Sequence, residues 1–294
     1  MTVEAWDEIR TAFNVARLGT VSGAAEALGV HHATVIRHVD ALEARLGTKL
    51  FQRHARGYTP TEAGLDLLRV ASATDDQFTQ LVGRIRGRGA DVSGELIITA
   101  LPMFSPRLAP VLVAFMNEHP GICVRLMADQ RLFRLEYGEA HVAIRAGERP
   151  DQPDNVVQPF VDEHAALYAT RSYLDRHGPL EEGHWEGHRF VTIDDANNRA
   201  GFFRWMVETI PAEQIAYRSS DQRGLLDGIL AGGGIGFLSV RDARRHPDLV
   251  QVMPTRPEWT SKMWLVTHVD LHRTAKVQTF VRFLKEAARE WVVT

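Results

Sequence analysis

The spacing of apolar positions changes along this chain, and each change marks an element. Over residues 4–18, Trp6, Ile9, Phe13 and the pair Val15–Ala16 recur at helical spacing, predicting a first helix that sends Trp6 and Phe13 into a core. Ser22 is the expected N-cap of a second helix. Ala25 gives that helix a small surface where another can cross, and Gly29 ends it, since glycine takes left-handed angles at little cost. A longer helix begins near His32, with Val35, Val39 and Leu42 as its inner stripe. Two such helices around a tight turn form a helix-turn-helix, whose second helix can lie in a DNA major groove. After a second glycine turn at Gly47, the residues Arg53, Arg56, Gly57 and Tyr58 make a compact basic loop shaped like a wing.

Thr61 is the expected cap of a fourth, much longer helix, although Thr59 with Glu62 also fits a capping box and Pro60 suits a first turn. Leu65, Leu68, Ala71, Phe78, Val82 and Ile85 recur at threes, fours and sevens as far as about residue 86. Some 25 helical residues reach ~37 Å, and a partial apolar stripe of that length is buried when a second copy packs along it. Leu65, Leu68, Phe78 and Val82 are therefore the dimer-seam candidates. The stretch Arg84 to Asp91, rich in glycine and arginine, reads as a hinge.

From Ser93 onward short apolar runs alternate with helical stretches. Strands are expected at Glu95–Ala100, Gly121–Leu126, His141–Arg145, Ala165–Ala169, Arg189–Ile193, Gln214–Arg218, Ile235–Leu238 and Met263–Thr267. Helices are expected at Pro106–Glu118, Arg131–Tyr137, 172–177, 200–209, 221–231 and Ala275–Trp291. That alternation predicts an α/β unit with a mostly parallel sheet covered on both faces.

Two sets of motifs resemble one family, the LysR-type transcriptional regulators. The first is Ala24-Ala25-x-x-Leu28-Gly29-Val30, Thr34-Val35-x-Arg37, Leu42-Glu43, Leu46-Gly47, Leu50-Phe51-x-Arg53 and Thr61-Glu62-Ala63-Gly64. The second is Ser93-Gly94-Glu95-Leu96, Leu108-Ala109-Pro110, His119-Pro120-Gly121-Ile122, Ala143-Ile144-Arg145-Ala146-Gly147 and Ala231-Gly232-x-Gly234-Ile235-Gly236. The resemblance implies an N-terminal winged helix-turn-helix over residues 1–60 and a dimerising linker helix with its hinge over 61–90. It implies an effector-binding domain over 91–294, with two α/β lobes like those of type 2 solute-binding proteins. Lobe I would hold about 91–161 and 267–294 and lobe II about 162–266, with crossings near Phe160–Val161 and Val266–His268. The resemblance further implies double-stranded DNA with two-fold symmetry as a partner, a small-molecule effector, a homodimer or tetramer, and room for contact with RNA polymerase. This chain departs from the family where Ile36, His31 and His32 replace common serine or glutamine, His141 a common aspartate, Ser239 a common proline, and Leu101 a common hydroxyl residue.

Charge and composition narrow the picture without redirecting it. At 45% hydrophobic and 24% charged the chain is ordinary for a soluble protein, and its net charge of -3 means any nucleic-acid surface must be local. Residues 31–58 supply one: Arg37, Arg45, Lys49, Arg53 and Arg56 against Asp40 and Glu43. The DNA-contact candidates are His31, His32, Thr34, Arg37, His38, Arg53, Arg56 and Tyr58. The histidines do not suggest a metal, because His31 and His38 are separated by roughly 10 Å of helical rise. The single cysteine, Cys123, sits in an apolar run where a buried, inert thiol is expected. An acidic N-terminus without signal-peptide blocks, and no apolar run approaching ~20 residues, predict a cytoplasmic protein with no membrane association.

In open α/β sheets, ligands sit beyond the carboxyl ends of the strands. That rule selects Leu101, Met103, Phe104 and Ser105, then Asp129, Gln130 and Arg145, and in the second lobe Asp194, Ser219 and Ser220. An apolar rim at Leu101, Met103 and Phe104 favours an effector with an apolar part. An enzyme finds no constellation. Gly232-Gly233-Gly234 precedes a strand and lacks the lysine of a phosphate loop, and His184-Trp185-Glu186-Gly187-His188 misplaces the glutamate of a zinc motif. No cofactor is implied. The remaining alternative is a cytoplasmic small-molecule binding protein without a specific DNA operator.

Overall fold

A computed structural model of the chain describes residues 5–54, 57–85, 92–195 and 198–291. Helices α1 (Trp6–Leu18), α2 (Val21–Leu28) and α3 (His32–Leu46) come first. Their core is Ala12, Val15, Ala24, Ala25, Val35, Val39 and Leu42, the stripe that the helical spacing selects. Thr20 caps α2, its hydroxyl accepting the Gly23 amide at 3.1 Å, so Ser22 lies one position too late to do so. Gly29 closes α2 at φ 66°, as expected of the turn. Trp6 does not enter the core. It is 54% exposed, its ring in edge-to-face contact with Phe78.

The wing is the hairpin of β1 (Phe51–His54) and β2 (Gly57–Pro60). It leads into α4 (Glu62–Ile85), capped by the Thr61 hydroxyl, which accepts the Gly64 amide at 3.2 Å. Gly64 is required by close approach: a Cβ there would lie 2.1 Å from the Leu50 carbonyl oxygen. The hinge from residue 86 to 91 lies outside the described residues.

The remainder is one mixed sheet. Its first half contains β3 (Gly94–Ala100), β4 (Ile122–Ala128) and β5 (Val142–Ala146), with β3 parallel to both neighbours and α5 (Ser105–Glu118) packed on it. The long β6 (Asn155–Thr170) then crosses to the second half, made by α6 (Arg171–His177), β7 (Phe190–Ile193), α7 (Gly201–Thr209), β8 (Ile215–Ser219), α8 (Gln222–Leu230), β9 (Ile235–Ser239), α9 (Val240–Ala243) and β10 (Leu249–Gln251). The chain returns along β11 (Thr260–His268) and ends in α10 (Val269–His272) and α11 (Ala275–Ala287), which a 3-10 turn extends to Trp291. The strand order is β4-β3-β5-β11-β6-β9-β7-β8, with β10 also on β6.

The expectation of a mostly parallel sheet is corrected here. Both central strands run antiparallel to all their partners: β11 to β5 and β6, and β6 also to β9 and β10. The crossings shift as well. β6 leaves β11 for β9 between His164 and Ala165, a little beyond Phe160–Val161. On the return, β11 already pairs with β5 from Met263, ahead of Val266–His268.

Two cores flank these crossings. Leu96, Ile98, Leu108, Phe115, Phe280 and Leu284 fill the first, and Tyr173, Phe190, Met206, Phe237 and Trp259 the second. The helix expected over Arg131–Tyr137 is only a 3-10 turn at Leu135–Tyr137. Cys123 is exposed on the edge strand β4, not buried.

Candidate functional site

With Val35, Val39 and Leu42 buried, the opposite face of α3 presents His32, Ala33, Ile36 and Arg37, with His31 just before the helix; all are exposed and Thr34 is half-buried. Helix N-termini and arginine side chains of this kind serve phosphates and base edges. His38 is turned the other way. The Thr11 hydroxyl donates to the Asp7 carbonyl at 2.6 Å and therefore accepts from His38 Nδ1 at 2.9 Å, so this histidine joins α3 to α1 and leaves the DNA face.

Arg53, though exposed, is also engaged by its own chain. Its guanidinium pairs with Asp40 at 2.5 Å and Glu43 at 3.0 Å and lies over the Tyr58 ring at 5.2 Å. Glu43 has a side chain only 2% exposed and accepts Lys49 Nζ at 2.7 Å and the amides of Leu50 and Phe51 at 3.0 and 3.2 Å. Burial pushes its carboxyl up, but the Lys49 bond and these amides outweigh burial and hold it below the ordinary carboxylate range. Tyr58 is half-buried against Phe51. Arg53 and Tyr58 are thus parts of the brace that holds wing to α3, while Gln52 and His54 remain exposed on β1. Arg56 lies outside the described residues.

Along α4, Leu68 packs into the core under the winged unit and Leu65 is half-buried. Val70, Phe78, Leu81 and Val82 are between 41% and 53% exposed, an uncovered apolar row that Trp6 joins through Phe78. Pattern alone did not assign Trp6 or Val70 to this row.

A cavity of about 510 Å³ opens at the carboxyl ends of β3, β4 and β5. Leu101, Gln130 and Arg145 line it, as the strand-end rule selects. Asp129, which the rule also selects, lines it too, as do Arg131, Leu132, Phe133, Ile144 and the loop 148–152; that loop is found by applying the same rule to the segment after Gly147. Met103, Phe104 and Ser105 do not line it; Phe104 is wholly buried beneath, its ring 4.7 Å from the Arg107 guanidinium. Asp194, Ser219 and Ser220 also lie off this cavity. The Asp194 amide donates to the Ser219 carbonyl at 2.7 Å, and the buried Ser219 hydroxyl donates to the Asp221 carbonyl at 2.9 Å. A more open hollow of about 390 Å³ lies along α11, where Lys285 and Arg289 are already matched by Gln158 and Glu286.

Between the halves of the sheet lies a buried charge cluster. Arg107 on α5 makes a two-pronged pair with Glu163 on β6, at 2.6 and 2.9 Å, and reaches Asp242 on α9 at 3.3 Å. Ser239 donates its hydroxyl to Glu163. Burial pushes the Arg107 guanidinium down, but the Glu163 bond and both carboxylates more than restore it, while burial pushes the Asp242 carboxyl up.

Comparison with known sequences assigns both parts of the chain. Residues 6–65 match the bacterial regulatory helix-turn-helix protein of the lysR family, and residues 89–289 match the LysR substrate binding domain. The chain belongs to the LysR family of transcriptional regulators. It is 31% identical to the transcriptional activator IlvY of Salmonella typhimurium, covering 83% of this chain and 85% of that one. It is 25% identical to the probable transcriptional regulator LtrA of Klebsiella pneumoniae, covering 91% and 90%. Full-length OxyR from Pseudomonas aeruginosa has the same fold, with a TM-score of 0.72 at 16% identity over 98% of this chain and 95% of that one. So does full-length LysG from Corynebacterium glutamicum with bound effector Arg, at 0.70 and 18% over 97% and 98%. Among the described residues no helix is long and apolar enough to cross a membrane.

As a LysR-type regulator the chain is a DNA-binding protein whose second domain takes a small-molecule effector, and its departures from the family pattern acquire local reasons. His141, where an aspartate is common, accepts the Ile97 amide on Nδ1 at 2.8 Å. Burial, helped by the Lys276 charge, pushes its pKa down to about 3, so it remains the neutral acceptor this bond needs. Ser239, in place of a proline, supplies the hydroxyl that Glu163 accepts.

Proposed function

We propose that this regulator binds a two-fold DNA site as a homodimer seamed along α4, and that an effector in the cavity beyond β3, β4 and β5 adjusts the geometry of the pair. In this reading residues 1–60 read DNA, 61–90 link and 91–294 sense. His31, His32, Thr34 and Arg37 face the groove, flanked by the exposed wing residues Gln52 and His54. The observation that carries it is the division of α3, with one face buried on α1 and α2 and the other free. Two recognition helices fixed by one seam fit half-sites about one DNA turn or a few turns apart. The uncovered row Val70, Phe78, Leu81 and Val82 supports the seam. The effector found in LysG supports a ligand within the same fold. Ligand shifts the equilibrium by binding one arrangement of the domain better than the other. Further pairing to a tetramer, contact with RNA polymerase and work in the cytoplasm belong to the same proposal.

The test is footprinting of the purified protein on the DNA upstream of its own gene, across a salt series. The expected result is a symmetric protected stretch whose affinity falls steeply with salt. Absence of protection there and on DNA selected from the genome would leave a ligand-binding protein without an operator.

A further inference from the structure

Arg145, the penultimate residue of β5, lines the cavity and is half-buried there. Its one resolved hydrogen bond goes to a backbone carbonyl, that of Phe133 at 2.8 Å, and among the described residues no carboxylate lies within ion-pair distance. A guanidinium taken partly out of water without a counter-charge is costly, and its five donors favour a planar, two-oxygen acceptor. The carboxylates nearby are committed or peripheral. Glu139 takes Arg131 at 2.9 Å and the Arg134 amide at 2.8 Å, Asp129 holds the Arg131 amide at 3.0 Å, and Glu148 and Asp151 stand exposed on the outer loop. Burial lowers the Arg145 pKa, with Glu136 opposing only through space, as expected of a cation awaiting a partner. Leu101, Leu132 and Ile144 supply apolar wall, and the volume suits a small metabolite.

We infer that the effector of this cavity is a small carboxylic acid, its carboxylate paired with Arg145 and its apolar body lying against Leu101, Leu132 and Ile144. The inference rests on the reading of this cavity as the effector site. Arg131 remains with Glu139 and Phe133, whose ring it covers at 3.8 Å, and serves as wall.

The test is calorimetric titration of the full-length protein with benzoate, phenylacetate, isovalerate and succinate, each beside its neutral amide. At least one acid binds, and its amide binds about tenfold or more weakly. Arg145→Gln abolishes that preference while still folding and footprinting DNA, Arg145→Lys restores part of it, and Leu101→Ala weakens acid and amide alike. Equal binding of acid and amide, or a preference that survives Arg145→Gln, overturns the carboxylate assignment but leaves the cavity as the site. Ala146→Trp, which fills the cavity, separates the two readings. Acid binding unaffected by it, or no binding by any acid or amide, overturns the cavity itself.

Discussion

At the junction of α3 and the wing, one carboxylate collects two backbone amides and two cations, and its neighbourhood decides which arginines are free for DNA. Arg37 is exposed on a face whose period is helical, so its placement was legible from spacing. Arg53 was not, because its partners Asp40 and Glu43 approach only when β1 folds back on α3. Arg37→Ala should weaken DNA binding across sequences and reduce the salt slope by about one. Arg53→Ala should leave the slope nearly unchanged and lower stability by about 1 kcal/mol, since its guanidinium is partly exposed. A full unit lost from the Arg53→Ala slope would return that residue to the DNA. Glu43 also gives a pH signature. Its folded pKa lies below the unfolded value near 4.5, so its stabilisation is present above that value and is lost as pH falls through the folded pKa. Urea midpoints measured down that acid range should fall less steeply for Glu43→Gln than for the natural protein.

Helices with a buried stripe were readable because a 3.6-residue period needs no knowledge of partners, and the boundaries of α3, α5 and α8 lie within a residue or two of expectation. The segment after β4 failed for a local reason. The Asp129 and Glu139 carboxylates bind the Arg131 and Arg134 amides directly, giving the backbone an alternative to helical bonding. Strand direction failed for a distant reason. Nothing in the run Asn155–Thr170 reveals that it pairs antiparallel with β11, more than ninety residues later (His164 opposite Thr260). Trp6 looked like core because it is apolar and in phase with α1, yet it faces Phe78 at the edge of the α4 row. Replacing Phe78 and Val82 by glutamate should therefore move the protein to smaller species in multi-angle light scattering while the monomer's fold persists. An unaltered mass would reject α4 as the seam.

Across the whole molecule, the two halves of the sheet are fastened by β6, β11 and the Arg107 cluster. Removing Glu163 leaves the buried Arg107 with only the longer Asp242 contact to balance it, and breaking a buried pair costs about 3–5 kcal/mol. Glu163→Gln should thus destabilise far more than Arg53→Ala in chemical denaturation. Adding Arg107→Met to Glu163→Gln should recover much of the loss, whereas costs that simply add would show that the pair is not coupled. The linker helix is fastened more lightly. Arg69 on α4 meets Asp270 at 2.8 Å, just past the end of β11, and a Cβ on Gly138 would lie 4.0 Å from the Arg69 Cα. Both partners are partly exposed, so the bond is worth at most ~1 kcal/mol. From Arg69 back to Glu62, where the winged unit joins, the helix runs roughly 10 Å, so tilting it by ~5° about this anchor swings that end by about 1 Å. The strand that crosses between the lobes is thereby geared to the arm that carries the DNA readers, through a clutch weak enough to slip.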